Sequence, residues 1–420
     1  MIQLALKQQE RVNMFNKSIY ADCSATTKPR PEVIEAMMKI LKDDFGNPSS
    51  LHRFGRAAKN HLNEARENIS SAISANEEQI IFTSGGTESD NLVIFGVSRL
   101  IKELSDKEKH IITTKIEHSA IKEPLEYLEK NGWKVSWLNV DNEGFINLDE
   151  LKRTITAKTL LVSIIHANNE IGTIQNLKKI SEVCKEKNVL FHTDAVQSFC
   201  KIPIDVKELG ADFMSMSSHK IYGPKGVGAL YVKDLQNLKP ILIGGSQEAK
   251  LRPGTENISG VVGFGVAAKL LQKEMSDNAK HLRELQILLM ERLLKTNNVI
   301  LTGVGLDKVQ ENIPNERYFY RIPGHVSLCV KDVEGESLVL QMDLKGIAVS
   351  SGSACKEKNK NALIKPSHVL EAINIPQEYI KGSLRITLGR ENTKEDIDFI
   401  TQALEATVQN LNKGKEKIPI

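Results

Sequence analysis

Between residues 80 and 232, seven short runs rich in Ile and Val (80–83, 110–114, 134–140, 160–166, 189–193, 213–217 and 227–232) alternate with longer amphipathic stretches. Strands separated by a helix-length crossover pair in parallel, so this pattern predicts a mainly parallel, seven-stranded sheet covered by helices. Between the runs, residues 120–130 and 177–187 carry helical spacing, and Asn147 followed by Glu150 marks a helix start. After Gly260 the texture changes. Two helices are expected at 261–273 and 280–295, the second with Leu282, Leu285, Leu289 and Leu293 on one face. Strands at 325–330 and 383–388 then mix with helices at 336–344, 367–373 and 393–411, the last opened by Thr393 and Asp396 in the manner of a capping box.

A chain of 420 residues can bury a large core in two or three structural units. Its net charge of +3, with cations spread along the sequence, gives no reason to expect direct nucleic-acid or membrane partners. The five cysteines are odd in number and widely spaced, with no C-x-x-C pair, which argues against a disulfide framework or a zinc site and for a reducing, cytoplasmic setting. In the first 18 residues, Lys7, Gln8, Gln9, Glu10 and Arg11 interrupt any apolar stretch, so no secretory signal is expected there.

Asp194 ends the fifth apolar run, and Lys220 follows the sixth about one crossover later. In a parallel sheet both emerge at the carboxyl edge, where open α/β folds bind ligands. An acid and a lysine at that edge suit pyridoxal 5'-phosphate, which needs an amine for its aldehyde and a carboxylate to keep the ring nitrogen protonated. The phosphate needs N–H donors, and Thr83-Ser84-Gly85-Gly86-Thr87-Glu88 offers them where a strand turns into a helix. Ser217 and His219 can add two contacts. His118, after a strand, can lie flat on the ring, and Asn169 and Gln197 are neutral hydrogen-bonders suited to its hydroxyl.

As an ordered set these residues resemble the cysteine desulfurases of aminotransferase class V. The likeness runs through Tyr-Ala-Asp-Cys-Ser-Ala-Thr-Thr (20–27), Phe-Gly-Asn-Pro-Ser-Ser (45–50), Thr-Ser-Gly-Gly-Thr-Glu-Ser-Asp-Asn (83–91), Glu117-His118, Asn-Asn-Glu-Ile-Gly (168–172) and Asp-Ala-Val-Gln (194–197). It continues through Ser-Ser-His-Lys-Ile-Tyr-Gly-Pro-Lys-Gly (217–226), Arg-Pro-Gly-Thr-Glu-Asn (252–257), Ser-Ser-Gly-Ser-Ala-Cys (350–355) and Ser-Leu-Arg-Ile-Thr-Leu-Gly-Arg (383–390). The resemblance implies a fold-type I pyridoxal-phosphate enzyme and a homodimer. It places a large α/β domain at 29–272 and a small domain built from 1–28 and 273–420. Lys220 is then the cofactor-binding lysine, Asp194 faces the ring nitrogen, Gln197 the ring oxygen, and His118 stacks. Gly86, Thr87, Ser217 and His219 hold the phosphate, with Thr255 reaching in from the partner subunit. Arg385 grips the substrate carboxylate through a bidentate pair, and Asn169 orients substrate or ring.

Cys355 separates this reaction from amino transfer, which needs no protein thiol. Its small-residue loop lets the thiolate approach the sulfur of bound L-cysteine, leaving L-alanine and a persulfide destined for an acceptor protein, an iron-sulfur scaffold or a thiolation relay. Cys184 and Cys329 read as core. Cys23, inside the Asp-x-x-Ala-Thr-Thr stretch, is a candidate second reactive thiol. Residues 356–365 carry four Lys against one Glu and are either a solvated loop or a dock for an acidic acceptor. The rival readings are a selenocysteine lyase or other class V lyase, and a catalytically silent scaffold.

Overall fold

The computed structural model describes residues 18–100, 109–311, 319–352 and 366–415. A short strand β1 (Ile19–Tyr20) precedes helices α1 (Pro31–Lys42) and α2 (Arg53–Ser71). The sheet region follows: β2 (Ile80–Thr83), α3 (Gly86–Ser98), β3 (His110–Thr114), α4 (Ser119–Lys130), β4 (Lys134–Leu138), α5 (Leu148–Thr154), β5 (Thr159–Ser163), α6 (Leu177–Glu186), β6 (Leu190–Asp194), β7 (Phe213–Ser217) and β8 (Gly228–Val232). These strands form one seven-stranded sheet in the order β2-β8-β7-β6-β5-β3-β4. Only β8 runs against its neighbours, so β2 points the same way as the parallel strands. The carboxyl ends of β2, β3, β5, β6 and β7 therefore share one edge.

Each boundary has a local cause. Asn147 caps α5 by accepting from the Asp149 and Glu150 N–H groups, and His118 caps α4 through Nδ1, which accepts from the Ala120 N–H at 3.1 Å. Apart from the edge strand β4, the strands are buried on both faces by clusters that include Phe199, Phe213, Phe264 and Phe191, as continuous apolar runs require.

One expectation fails here. Residues 258–293 form a single helix, α7 (Ile258–Leu293), where two were expected. The polar stretch 274–278 contains neither Gly nor Pro, and its side chains are exposed or half-buried, so it lowers the apolar content without breaking the hydrogen-bond ladder. The helix thus runs across position 273 unbroken. Past it lie β9 (Val299–Leu301), β10 (His325–Val330), α8 (Gly335–Asp343), β11 (Ile347–Ala348), β12 (Ser383–Thr387) and α9 (Lys394–Lys415). β10 is the centre of an antiparallel sheet between β12 and β9, and β1 pairs in parallel with β11. The Thr393–Asp396 box at the start of α9 is reciprocal: the Thr393 N–H donates to Asp396 Oδ2 and the Asp396 N–H to Thr393 Oγ1. No helix among the described residues is long and apolar enough to cross a membrane.

Candidate active site

Gly86, Thr87, His118, Asn169, Asp194, Gln197, Ser217, His219, Lys220 and Arg385 all line one pocket with about 1170 Å³ of empty volume at the carboxyl edge of the sheet. Ser350, Ser351 and Gly352 complete its wall. Two expected site residues are not among them. Thr255 is exposed and lies elsewhere on this chain, in a segment that Arg252 ties to the phosphate-loop residue Glu88 at 2.9 Å. Cys355, like the cationic stretch 356–365, lies outside the described residues, but Gly352 stands three positions before it.

At the floor, Asp194 is buried and one of its oxygens accepts from the Val196 N–H at 2.9 Å. Burial raises its pKa, opposed by the neighbouring His118 and Lys220. Two more carboxyls surround it. Asp90 and Glu117 are each fully enclosed; desolvation drives the first well up and the second to about 8, with Asp194 adding repulsion to both. His192 Nε2 lies 3.7 Å from Asp90, yet burial holds this imidazole at a pKa of about 3 and its ring bonds Ser163 and Ser215 instead, so the contact is between neutral groups. Neither Asp90 nor Glu117 was singled out for a role from the sequence. Both sit in quoted motifs, but their convergence on Asp194 is a product of the sheet.

Lys220 follows β7 in a short helical turn and donates to the main-chain oxygens of Ser24 and Ala25, each at 2.7 Å. Burial lowers its pKa to about 8, helped by Lys201 and Arg385. Gln197 Nε2 donates to the same Ser24 oxygen at 2.9 Å, and Lys201 Nζ lies 3.4 Å from Gln197 Oε1. Residues 24–25 hold the reactive amine through main-chain groups, which side-chain reasoning could not anticipate.

The start of α3, with Gly86 and Thr87 lining the pocket, is a helix N-terminus of the kind that suits an anion. At Gly86 a Cβ would come within 2.6 Å of the Val196 side chain, so only glycine fits between the loop and the turn after β6. His219 Nδ1 meets Thr26 Oγ1 at 3.1 Å, and burial among Lys220, Lys225 and Lys201 lowers its pKa to about 4. Because His118 Nδ1 accepts from Ala120, the neutral ring carries its proton on Nε2.

Arg385 arrives from β12. Its Nη2 donates to Asp22 Oδ1 at 2.9 Å and its Nη1 to the Asn169 main-chain oxygen at 3.0 Å, while buried Nε has no partner among the described residues. Asn169 is presented by Asn168, whose side chain bonds the Ile116 oxygen and the Glu170 and Ile171 N–H groups. Cys23 is 8% exposed and burial pushes its thiol to about 11, the opposite of an activated nucleophile. Cys184, Cys200 and Cys329 are buried and likewise raised.

Residues 19–400 match the family model described as aminotransferase class-V. The chain is 46% identical over 397 residues to the cysteine desulfurase IscS of Dictyoglomus turgidum, covering 94% of this chain and 96% of that one. It is 44% identical over 410 residues to the IscS of Methanosarcina thermophila, at 98% and 96% coverage. A solved NifS-like protein superposes with a TM-score of 0.84 at 33% identity, spanning 94% of this chain and all of that one. With matches that run from β1 into the last helix, the chain belongs to the class-V aminotransferases, a pyridoxal-phosphate-dependent family, and within it to the cysteine desulfurases.

Proposed function

We propose that the protein binds pyridoxal 5'-phosphate and converts L-cysteine to L-alanine, taking the sulfur onto Cys355 as a persulfide for delivery to an acceptor protein. The observation that carries this reading is the convergence of Lys220, Asp194 and Arg385 on one pocket that Gly352 also lines. Covalent geometry keeps Cys355, three residues further on, within a reach of about 10 Å from that wall.

The residues fit the cofactor. A buried acid, a lysine with a depressed pKa and a helix N-terminus that begins at Gly86 line the same pocket. Asp194 would hold the ring nitrogen, Gln197 the ring oxygen, His118 the ring face, and Gly86, Thr87, Ser217 and His219 the phosphate; once bound, the group supplies an electron sink beside the substrate α-carbon. Arg385 orients the substrate carboxylate. Lys220 and His118 are the groups placed to carry protons between the α-carbon and the pocket. The Cys355 thiolate attacks the substrate sulfur: a sulfur–sulfur bond forms, the carbon–sulfur bond breaks, and the carbon gains a proton to become alanine.

Exposed Ile34, Met38, Leu41, Phe45, Leu51 and Ile243 form apolar surface on and near α1, α2 and the segment that carries Thr255, which supports a homodimer with Thr255 completing the partner's phosphate site. The reducing setting suggested by unpaired thiols supports a cytoplasmic enzyme. Large and small domains divided near residue 273 agree with separate cores around the large sheet and around β10.

The test is Cys355→Ser. It should lower alanine formation from L-cysteine by about a hundredfold or more and abolish persulfide labelling, while cofactor absorbance persists. Full activity in this variant, or equal turnover of selenocysteine alone, would favour a thiol-independent class V lyase.

A further inference from the structure

Behind the pocket wall, His325 opens β10 directly across the sheet from Thr387, two residues beyond Arg385 on β12. It is 2% exposed, and its Nε2 lies 3.1 Å from the Asn169 main-chain oxygen. That oxygen is the one that accepts from Arg385 Nη1 at 3.0 Å. A single carbonyl therefore receives two N–H donors, one from the arginine that faces the pocket and one from a residue outside it.

The surroundings leave the imidazole no freedom. Its main-chain oxygen accepts from Gln286 Nε2 at 2.7 Å, its N–H donates to the Ile322 oxygen, and on the Nδ1 side a Cβ at Gly172 would come within 2.6 Å of the ring. Nδ1 has no partner among the described residues. The charged groups that face it are all cationic: Arg321 behind it on the same connection, Arg385 from β12, and Lys201 from the turn after β6. Burial and these cations hold the ring neutral. An oxygen acceptor at Nε2 then requires the proton on Nε2, so the ring is a fixed donor to Asn169.

We infer that His325 is a positioning residue for substrate binding: by sharing the Asn169 carbonyl it fixes the loop against which Arg385 is braced, and so sets the direction in which the guanidinium meets the substrate carboxylate. The inference rests on the reading of Arg385 as the carboxylate grip. Asp22, the other partner of Arg385, restrains only Nη2. Without the His325 bond, the Asn169 carbonyl keeps one donor and the loop can turn it away from Arg385.

The experiment compares the cofactor-loaded enzyme with His325→Phe, His325→Gln and Arg385→Lys in steady-state desulfuration of L-cysteine, with melting temperature recorded for each. His325→Phe keeps a ring but no donor and should raise KM about fivefold with kcat within about twofold of the parent. His325→Gln, whose Nε2 can occupy the donor position, should return KM to within about twofold. Should the Phe variant fail to fold, His325→Met, flexible enough to fill the same space, replaces it. An unchanged KM in the donor-free variant overturns the proposal, as does a Gln variant as defective as Phe, which would assign the ring to packing alone. Arg385→Lys separates the two readings: a large rise in KM there with none at His325 rejects only the positioning role, whereas an unchanged KM removes the carboxylate grip and the proposal with it.

Discussion

At the floor of the pocket Asp194 is surrounded by Asp90 and Glu117; at the mouth Lys220 is surrounded by Lys201 and Arg385. Each end buries like charges together and holds an opposite charge beside them: His118 and Lys220 next to Asp194, and Asp22 paired with Arg385. Desolvation leads at each and like charge adds to it, raising Asp90 and Glu117 and lowering Lys201 and Lys220. The difference lies in what relieves the strain. On the proposed reading, a protonated ring nitrogen beside Asp194 would relieve the floor. At the mouth the relief is an anion or a lost proton, so Lys220, lowered to about 8, is poised to give up its proton.

The largest effect should come from the floor. Asp194→Asn should lower kcat by at least about a hundredfold, because an amide cannot keep a ring nitrogen protonated. If the loss is small, the floor does not act through charge.

An intermediate effect tests the mouth. In cofactor-free protein, labelling of Lys220 by an amine-selective acylating reagent should rise with pH and reach half its maximum at about 8, well below an ordinary lysine, because the free base is the reactive form. Lys201→Met removes a neighbouring cation and should move that midpoint upward, leaving less free amine at pH 8. An unmoved midpoint would assign the depression to burial alone.

The smallest effect distinguishes one acid from another. Glu117 holds its proton up to about pH 8 in the folded chain, so Glu117→Gln should change kcat by less than about threefold at pH 7. Its sign in stability is defined. The folded pKa is raised above the unfolded value of 4.5, so the contribution of this group is full below 4.5 and is lost as pH climbs through 8. The Gln variant should therefore lose less melting temperature than the parent between pH 6 and about 9. A parallel decline in both proteins would show that Glu117 is already ionised.

The same contrast explains what could be read from residue order. Asp194, Ser217 and Lys220 were legible because a buried strand announces itself by composition and its carboxyl end is where a ligand must sit. Gly86 stood out as part of a glycine loop between strand and helix, although what demands a glycine there is the Val196 side chain, 2.6 Å from where a Cβ would lie. His325 was not, since a histidine at a strand start looks like any other until Asn169, 156 positions earlier, is set beside it. The two carbonyls that hold Lys220 come from residues 24 and 25, and main-chain acceptors leave no trace in residue type. Helix α7 was misread for a related reason: a polar interval looks like a break when only hydrophobic spacing is counted, although hydrogen bonds between successive turns need no apolar face.

Periodicity, strand-end chemistry and an ordered series of motifs were enough for the α/β architecture, the family and most of the residues that line the pocket, because each is written in short stretches of the chain. The raised pKa values of Asp194 and of the two acids around it, the depressed Lys220 amine and the shared carbonyl at Asn169 depend on how far water is excluded and on which distant segments meet. Desolvation and long-range hydrogen bonding are properties of the packed molecule, and no local stretch of sequence contains them.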